Sequence, residues 1–423
     1  MESLITIAIV GMGNRGWETY ASALKRLPEQ AEITAIAELD PKKRQEAGED
    51  LNLPPERCFA SAEELLAQDK LADVLLVCTQ DRQHVDHAIP AMEKGYHILM
   101  EKPISPSPEK CKELLEVSRR TGRKVVVCHV LRYSPFYRKI KEILDSGMLG
   151  ELMTIQSIEN VGYWHQAHSF VRGNWRNSES TSPMILAKCC HDMDLMVWLT
   201  GKRCEKVSSF GSIGHFSPEH APEGAAKRCL DGCLAKENCP YDAEKIYISN
   251  KSTGVAHGHT GWPCSILDIH PTEESIRRAL ETGPYGRCVY FCDNNVVDHQ
   301  VVNLEMEDGL TINFTMSGFT GDGGRFTKYM GARGSMIADL QAKTIRIMPF
   351  GQEMILYDFN QTKEDMDGHG GGDEVLVKEF LDYIQGAQPE GITSLEVSME
   401  SHFIAFAAEE SRVSGGRCIE IKR

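Results

Sequence analysis

Short runs of Ile, Val, Leu and Ala alternate with amphipathic stretches through the first 130 residues. The apolar runs read ITIAIVG, ITAIAEL, VLLVCT, HILMEK and KVVVCHV, and the stretches between them predict helices over residues 16 to 27, 41 to 50, 84 to 94 and 108 to 120. Near-continuous apolar strands interleaved with helices predict a parallel sheet covered on both faces. Residues 1–130 therefore form a doubly wound α/β domain.

From about residue 150 the pattern changes to longer alternating strands, ELMTIQSIENV, VVNLEMEDGLTINFTMSG and TIRIMPF, the second carrying an EDGL turn between two runs as a hairpin does. Helical spacing recurs at about 189 to 200, 373 to 385 and 395 to 413. Residues 131–423 thus predict an α+β domain with a large, mostly antiparallel sheet. Residues 215–265, rich in Gly, Pro, Cys and His and weakly periodic, read as an insertion over one edge of it.

Length and charge narrow the function classes. The 423 residues suit two or three domains. A formal charge of -15 has the wrong sign for wrapping nucleic acid or hugging an anionic membrane. No apolar run approaches the ~20 residues of a membrane helix, and MESLITIAIVGMG lacks a basic region before a cleavable apolar stretch. The 14 cysteines are mostly scattered through apolar surroundings, where a reduced thiol acts as a small hydrophobe. The expected compartment is the cytoplasm.

The chemistry begins at GMGNRG, which follows the first strand and opens a helix. Gly11 permits a tight turn, Gly13 lets backbone approach a pyrophosphate, and Gly16 lets the helix pack on the strand, with Asn14 and Arg15 in the turn itself. The next strand ends at Glu38, 22 residues after Gly16, where an acidic side chain accepts hydrogen bonds from the adenine ribose hydroxyls. This is a Rossmann dinucleotide fingerprint. Glu38 would repel a ribose 2'-phosphate, favouring NAD over NADP, although Lys42, Lys43 and Arg44 nearby soften that preference.

Three further segments, with the glycine turn, give the chain a family resemblance. VCTQDRQHVDHAIPAMEKGYHILMEKPIS, with Thr79, His84 and the Glu101-Lys102-Pro103 tripeptide, together with LRYSPFYRKIKEILDSGMLGEL, CCHDMDLMVWLTG and the glycine turn, resembles the Gfo/Idh/MocA oxidoreductases nearly end to end. The resemblance implies a Rossmann domain followed by a C-terminal domain whose open sheet makes oligomer contacts, here a homodimer or homotetramer. It also implies oxidation or reduction of a sugar or cyclitol carbon by a nicotinamide cofactor. By the same match Thr79, His84 and Glu101 belong to the cofactor site, Pro103 follows a specially shaped peptide bond, and Lys102 lies between nicotinamide and substrate. A base poised near neutrality serves such a step best.

His191 in CCHDMD matches a family histidine that faces the substrate and orients a hydroxyl or relays a proton; the alternative is a buried structural histidine capped by Asp194. The sequence departs from the better-known sugar dehydrogenases at Ala187, where they carry an Asp four residues before the His. Lys188 follows it, with Cys189 and Cys190 close by, so the usual Lys-Asp-His trio is incomplete. The segment NVGYWHQAHSFVRGNWRN supplies Tyr163, Trp164, His165, His168, Arg172, Trp175 and Arg176, a mixture suited to sugar rings and their hydroxyl or anionic groups. With Arg132 and Lys188 these complete the expected substrate site, and GHGGGDE could bring His369 to its mouth.

Cys229, Cys233 and Cys239 cluster in the insertion, followed by His257, His259 and Cys264. Their spacing is not a clean pair of C-x2-C knuckles, and three readings stand: a structural zinc, a disulfide, or packed free thiols. For the whole chain the leading expectation is an NAD-dependent oxidoreductase acting on a sugar, sugar acid or cyclitol. A redox-neutral glycosidase or lyase that retains its NAD, and a non-catalytic NAD-binding protein, are its rivals.

Overall fold

The computed structural model describes residues 4–321, 323–362 and 367–423. Six strands build the first sheet: β1 (Ile5–Val10), β2 (Ala31–Ala37), β3 (Cys58–Phe59), β4 (Val74–Val77), β5 (His97–Met100) and β6 (Val125–Val127). All pair in parallel, in the order β3-β2-β1-β4-β5-β6. The strands are buried on both faces; in β1, Ile7, Ala8, Ile9 and Val10 are all inaccessible or nearly so. Asp40 and Ser107 cap the helices Pro41–Asp50 and Pro108–Thr121 through their side-chain oxygens, with Pro at the first helical position of each.

The second sheet has nine strands: β7 (Leu152–Asn160), β8 (Cys204–Ser212), β9 (His299–Met306), β10 (Thr311–Ser317), β11 (Gly324–Gly331), β12 (Gly334–Asp339), β13 (Thr344–Pro349), β14 (Ile355–Asp358) and β15 (Ile419–Glu420). The order is β14-β13-β12-β11-β7-β10-β9-β8-β15, and only β7 and β10 pair in parallel. Burial alternates along β9 and β10, so one face is inward and the other open. The helices Pro135–Asp145, Cys190–Thr200 and Leu395–Val413 cover the inner face with Phe136, Ile140, Met193, Met196, Ile404 and Ala408.

The chain does not stay in its second domain. The helix Gly372–Ile384 places Leu376, Val377, Phe380 and Leu381 against one face of the first sheet, and Leu395 and Met399 join the core on the other. Thr393 accepts the backbone N–H of Val127 beside β6. The late segment therefore also packs against both faces of the first sheet.

The insertion runs from β8 to β9, longer than the 215–265 expected, and has its own apolar core of Phe216, Tyr241, Ile246, Tyr247, Ile276, Leu280 and Val289. Its aromatic residues lie at irregular spacing, which hides that core from periodicity. Among the described residues, no helix is long and apolar enough to cross a membrane.

Candidate active site

One cleft of about 730 Å³ runs from the carboxyl ends of β1 and β2 to the helix Cys190–Thr200 of the second domain. Gly11 has φ +88°, and a Cβ there would lie 2.6 Å from the Cys78 carbonyl oxygen. Gly16, outside the cleft, would meet Gly11 O at 2.0 Å. Gly13 differs from both, because nothing lies within 4 Å of its Cβ position and its backbone faces open space. These are the three tasks a pyrophosphate turn requires, so the cradle fits a dinucleotide.

Glu38 closes the first-domain end of the cleft, its carboxylate accepting the N–H of Met12 at 2.8 Å and of Asp40 at 3.0 Å. Of the three cations after it, Lys43 lines the cleft, whereas Arg44 donates to the Glu38 carbonyl oxygen and Lys42 pairs with Glu46. Asn14, Arg15, Thr79, His84, Glu101 and Lys102 also line it. Arg15 turns away from a phosphate role by pairing with Glu101 at 2.7 Å and Asp373 at 2.6 Å. Burial pushes the Glu101 carboxyl up, but Arg15, Lys102 and the Tyr20 hydroxyl outweigh it and hold it below the usual range. His84 lies within hydrogen-bond distance of the carbonyl oxygens of Thr79 and Pro103, locking the loop after β4 to the Lys102–Pro103 cis peptide.

Lys102 Nζ donates to Ala187 O at 2.7 Å, across the domain boundary. His191 is buried with no hydrogen-bond partner at Nδ1, and its ring centroid lies 5.7 Å from that of His129 and 6.0 Å from that of His369. Burial, then the charge of Lys102, keeps this imidazole neutral, well below its ordinary pKa. Asp194 does not cap it; that carboxylate makes a bidentate pair with Arg132, both bonds 2.6 Å. Lys188 lines the cleft with its ammonium 3.2 Å from Glu159.

His165, His168, Trp175 and His369 line the second-domain end of the cleft. Four expected ligands do not. Arg132 is buried on Asp194, Arg176 pairs with Asp293, and Tyr163 packs on the insertion core, where its hydroxyl accepts from Asn250. Arg172 is fully buried and donates to the carbonyl oxygens of Arg287 and Tyr241. On a helical segment only one side faces the cleft, and Arg172 falls on the other.

The sequence reading missed Asp81, Trp262 and Tyr285. Asp81 is buried at the cleft, accepting from Trp175 Nε1 and Ser182 Oγ. Trp262 comes from the insertion, edge-on to His165 at 4.9 Å, and Tyr285 stacks on His168 at 4.7 Å. The WPC and PYG turns of the insertion gave no periodic signal that would have aimed them here.

Two family models match, an oxidoreductase NAD-binding Rossmann fold over residues 5–129 and an oxidoreductase C-terminal α/β domain over residues 141–417. The chain belongs to the Gfo/Idh/MocA oxidoreductase family. Among its relatives is YteT of Bacillus subtilis (strain 168), a protein named as an oxidoreductase, 24% identical over 393 residues covering 89% of this chain and 88% of that one. An inositol 2-dehydrogenase of Corynebacterium glutamicum is 26% identical over 208 residues, 49% of this chain and 57% of its own length. A 2,7-anhydro-N-acetylneuraminate hydratase of Escherichia coli (strain K12) is 24% identical over 216 residues, 51% of this chain and 55% of its own. The same fold appears in an inositol dehydrogenase homologue from Azotobacter vinelandii complexed with NAD+, with a TM-score of 0.69 at 15% identity over 99% of this chain and 97% of that one. The scyllo-inositol dehydrogenase of Lactobacillus casei shares it too, with a TM-score of 0.65 at 17% identity over 100% and 99%.

Cys229, Cys233 and Cys239 are free thiols outside the cleft, and the candidates offered beside them do not join them. Cys264 donates to the carbonyl oxygens of Thr253 and Tyr247, and the His259 ring lies against the Lys251 carbonyl oxygen. Among the described residues, no group of three or more His, Cys, Asp or Glu is placed to hold a metal ion.

Proposed function

We propose that this member of the family moves a hydride between NAD and a hydroxyl-bearing carbon of a sugar, sugar acid or cyclitol. The observation that carries this reading is that Lys102, at the end of β5, and His191, on a helix of the second domain, share one cleft with Gly11, Gly13 and Glu38. When bound, the nicotinamide supplies the hydride acceptor or donor. Glu38, with lone pairs left after Met12 and Asp40, holds the adenine ribose hydroxyls and disfavours a 2'-phosphate.

Lys102 sits beside the reacting hydroxyl and takes or returns its proton. Ala187 O fixes where that ammonium points. The neutral His191, its Nδ1 unpartnered, orients the hydroxyl or passes the proton on. Lys188, held by Glu159, offers a second cation to a sugar acid or hydroxyl. Trp262 and Trp175 shield the apolar ring face, leaving a mixed surface suited to a polyhydroxylated ring. Inositol dehydrogenases among the relatives support a cyclitol or sugar. The exposed Ile158 and Phe210 on the nine-stranded sheet support self-association through that sheet.

A redox-neutral reaction with retained NAD is the second reading. It is favoured by Ala187, which removes the expected carboxylate beside Lys102, and by the hydratases among the relatives. One assay separates the two: incubation with NAD and a panel of inositols, hexoses and uronic acids, following NADH by its near-ultraviolet absorbance. NADH accumulating in step with an oxidised product supports the dehydrogenase. Substrate consumed without NADH, by protein carrying tightly held NAD, supports the redox-neutral reaction instead.

A further inference from the structure

The turn GHGGGD brings a second pair of proton-handling groups to the cleft. His369, on the short helix Asp367–Gly370, lines the cleft with its side chain 40% exposed, and Asp373 follows it on the helix Gly372–Ile384. The glycines hold the two in place. Gly370 has φ +67°, and a Cβ on Gly372 would lie 2.2 Å from the Val130 carbonyl oxygen, so the backbone packs directly on the segment after β6.

His369 Nδ1 lies 3.1 Å from Asp373 Oδ2 and 3.4 Å from Arg15 Nη1. The shorter contact is to a charged acceptor, which places the ring proton on Nδ1 and the lone pair on Nε2. Asp373 is itself fixed, accepting from Arg15 at 2.6 Å, while Arg15 also donates to Glu101 at 2.7 Å. Burial works to raise the Asp373 carboxyl, but His369 and Arg15 hold it below its usual range, so it stays ionised behind the imidazole. A carboxylate so placed fixes the tautomer of a histidine and stabilises its protonated form.

His191 needs such a neighbour. It is 5% exposed, its Nδ1 has no hydrogen-bond partner, and its ring centroid lies 6.0 Å from that of His369, a gap that one bridging water or a ring rotation spans. The other groups facing His369 are Arg15 from the glycine turn, and Lys188 and His165 from the second domain. Burial lowers the His369 pKa, Asp373 works to raise it, and Arg15 and Lys188 add to the lowering, so a proton taken up is readily given back.

We propose that His369 is the proton outlet of the cleft and Asp373 its positioning residue, an inference that rests on the proposed hydride transfer. Oxidation of the alcohol breaks the C–H bond, both electrons passing to NAD+, and breaks the O–H bond, whose proton must leave. The proton goes from the hydroxyl to Lys102, on to His191 and then to Nε2 of His369, which releases it to water while the Nδ1 proton stays on Asp373. One carbonyl, one NADH and one H+ are formed for each alcohol and NAD+ consumed. The pair thereby stands in for the carboxylate absent at Ala187.

The test is steady-state oxidation of inositols, hexoses and uronic acids with NAD by the full-length chain. His369→Ala is expected to lower kcat about 10²-fold with KM and NADH affinity unchanged, and added imidazole to restore kcat in this variant without raising it in the wild type. His369→Gln, which fills the same space but does not titrate, is expected to be as slow. Asp373→Asn is expected to move the acid limb of the kcat–pH profile to lower pH, because the imidazolium loses its charge partner. Wild-type kcat in the His369 variants, a change in KM alone, a loss in His369→Ala that imidazole does not restore, or an acid limb unmoved by Asp373→Asn would each overturn the assignment while leaving the hydride transfer standing. Wild-type protein that oxidises none of these substrates would overturn the hydride transfer, and the outlet with it.

Discussion

Lys102 Nζ donates to the carbonyl oxygen of Ala187 at 2.7 Å, so the lysine at the end of β5 is held by backbone of the second domain. A carboxylate at position 187 would share the lysine's charge; a carbonyl only directs it. In the proposed function, proton transfer at the cleft then rests on Lys102 and His191. Lys102→Ala is predicted to lower kcat/KM by about 10²- to 10⁴-fold while NADH still binds. Lys102→Arg is predicted to be as poor, because a guanidinium does not give up its proton. Wild-type turnover in either variant, on a substrate found by the panel assay, contradicts the role.

The proposed function makes Glu38 the residue that sets the cofactor preference. Glu38→Ala is predicted to weaken NADH about tenfold, roughly 1.4 kcal/mol, and to leave NADPH unchanged or improved because Lys43 then faces the 2'-phosphate unopposed. Since Glu38 also pins the N–H of Met12, the ratio of the two dissociation constants from fluorescence titration is the decisive readout. Equal weakening of both cofactors would reduce Glu38 to a structural role.

Arg132 and Asp194 form a bidentate ion pair buried at 3% and 2% side-chain exposure. Asp194→Asn strands the guanidinium and is predicted to cost about 3–5 kcal/mol in denaturant unfolding. The Arg132→Met/Asp194→Leu pair is predicted to recover most of that loss, as neither charge is left alone. Additive losses would show that the pair's packing, rather than its charge, matters.

Several histidines are held neutral by burial: His129 down to about 4, His168 and His402 to about 3. His402 Nε2 accepts the N–H of Ile104 at 2.8 Å, a bond that protonation would remove. These groups bind protons more readily unfolded than folded. Their contribution is complete above the unfolded pKa of about 6.5 and is lost as pH falls, each by about 1.4 kcal/mol per unit until its folded pKa is reached. His402→Gln is predicted to flatten the pH dependence of unfolding free energy between about pH 6 and 4 by one such increment. An unchanged slope would refute the neutral-imidazole account.

Both sheets and the cofactor cradle were legible because their signals are local: apolar runs, a glycine turn, an acid at a strand end. Arg132 and Arg172 were misread for the opposite reason. Both lie in polar or aromatic segments beside the cleft, and only tertiary packing reveals that one faces Asp194 and the other the insertion. Trp262 and Tyr285 came from turns with no periodicity. The helix Gly372–Ile384 was predicted as an element, but nothing in its own residues says that it covers the first sheet.

The most direct test of the central claim is a crystal structure of the protein with NADH. The account predicts the pyrophosphate on Gly11 and Gly13, the adenine ribose hydroxyls on Glu38, and the nicotinamide within contact of Lys102 on the side facing His191. Density for the cofactor elsewhere, or a nicotinamide turned away from Lys102, would contradict it.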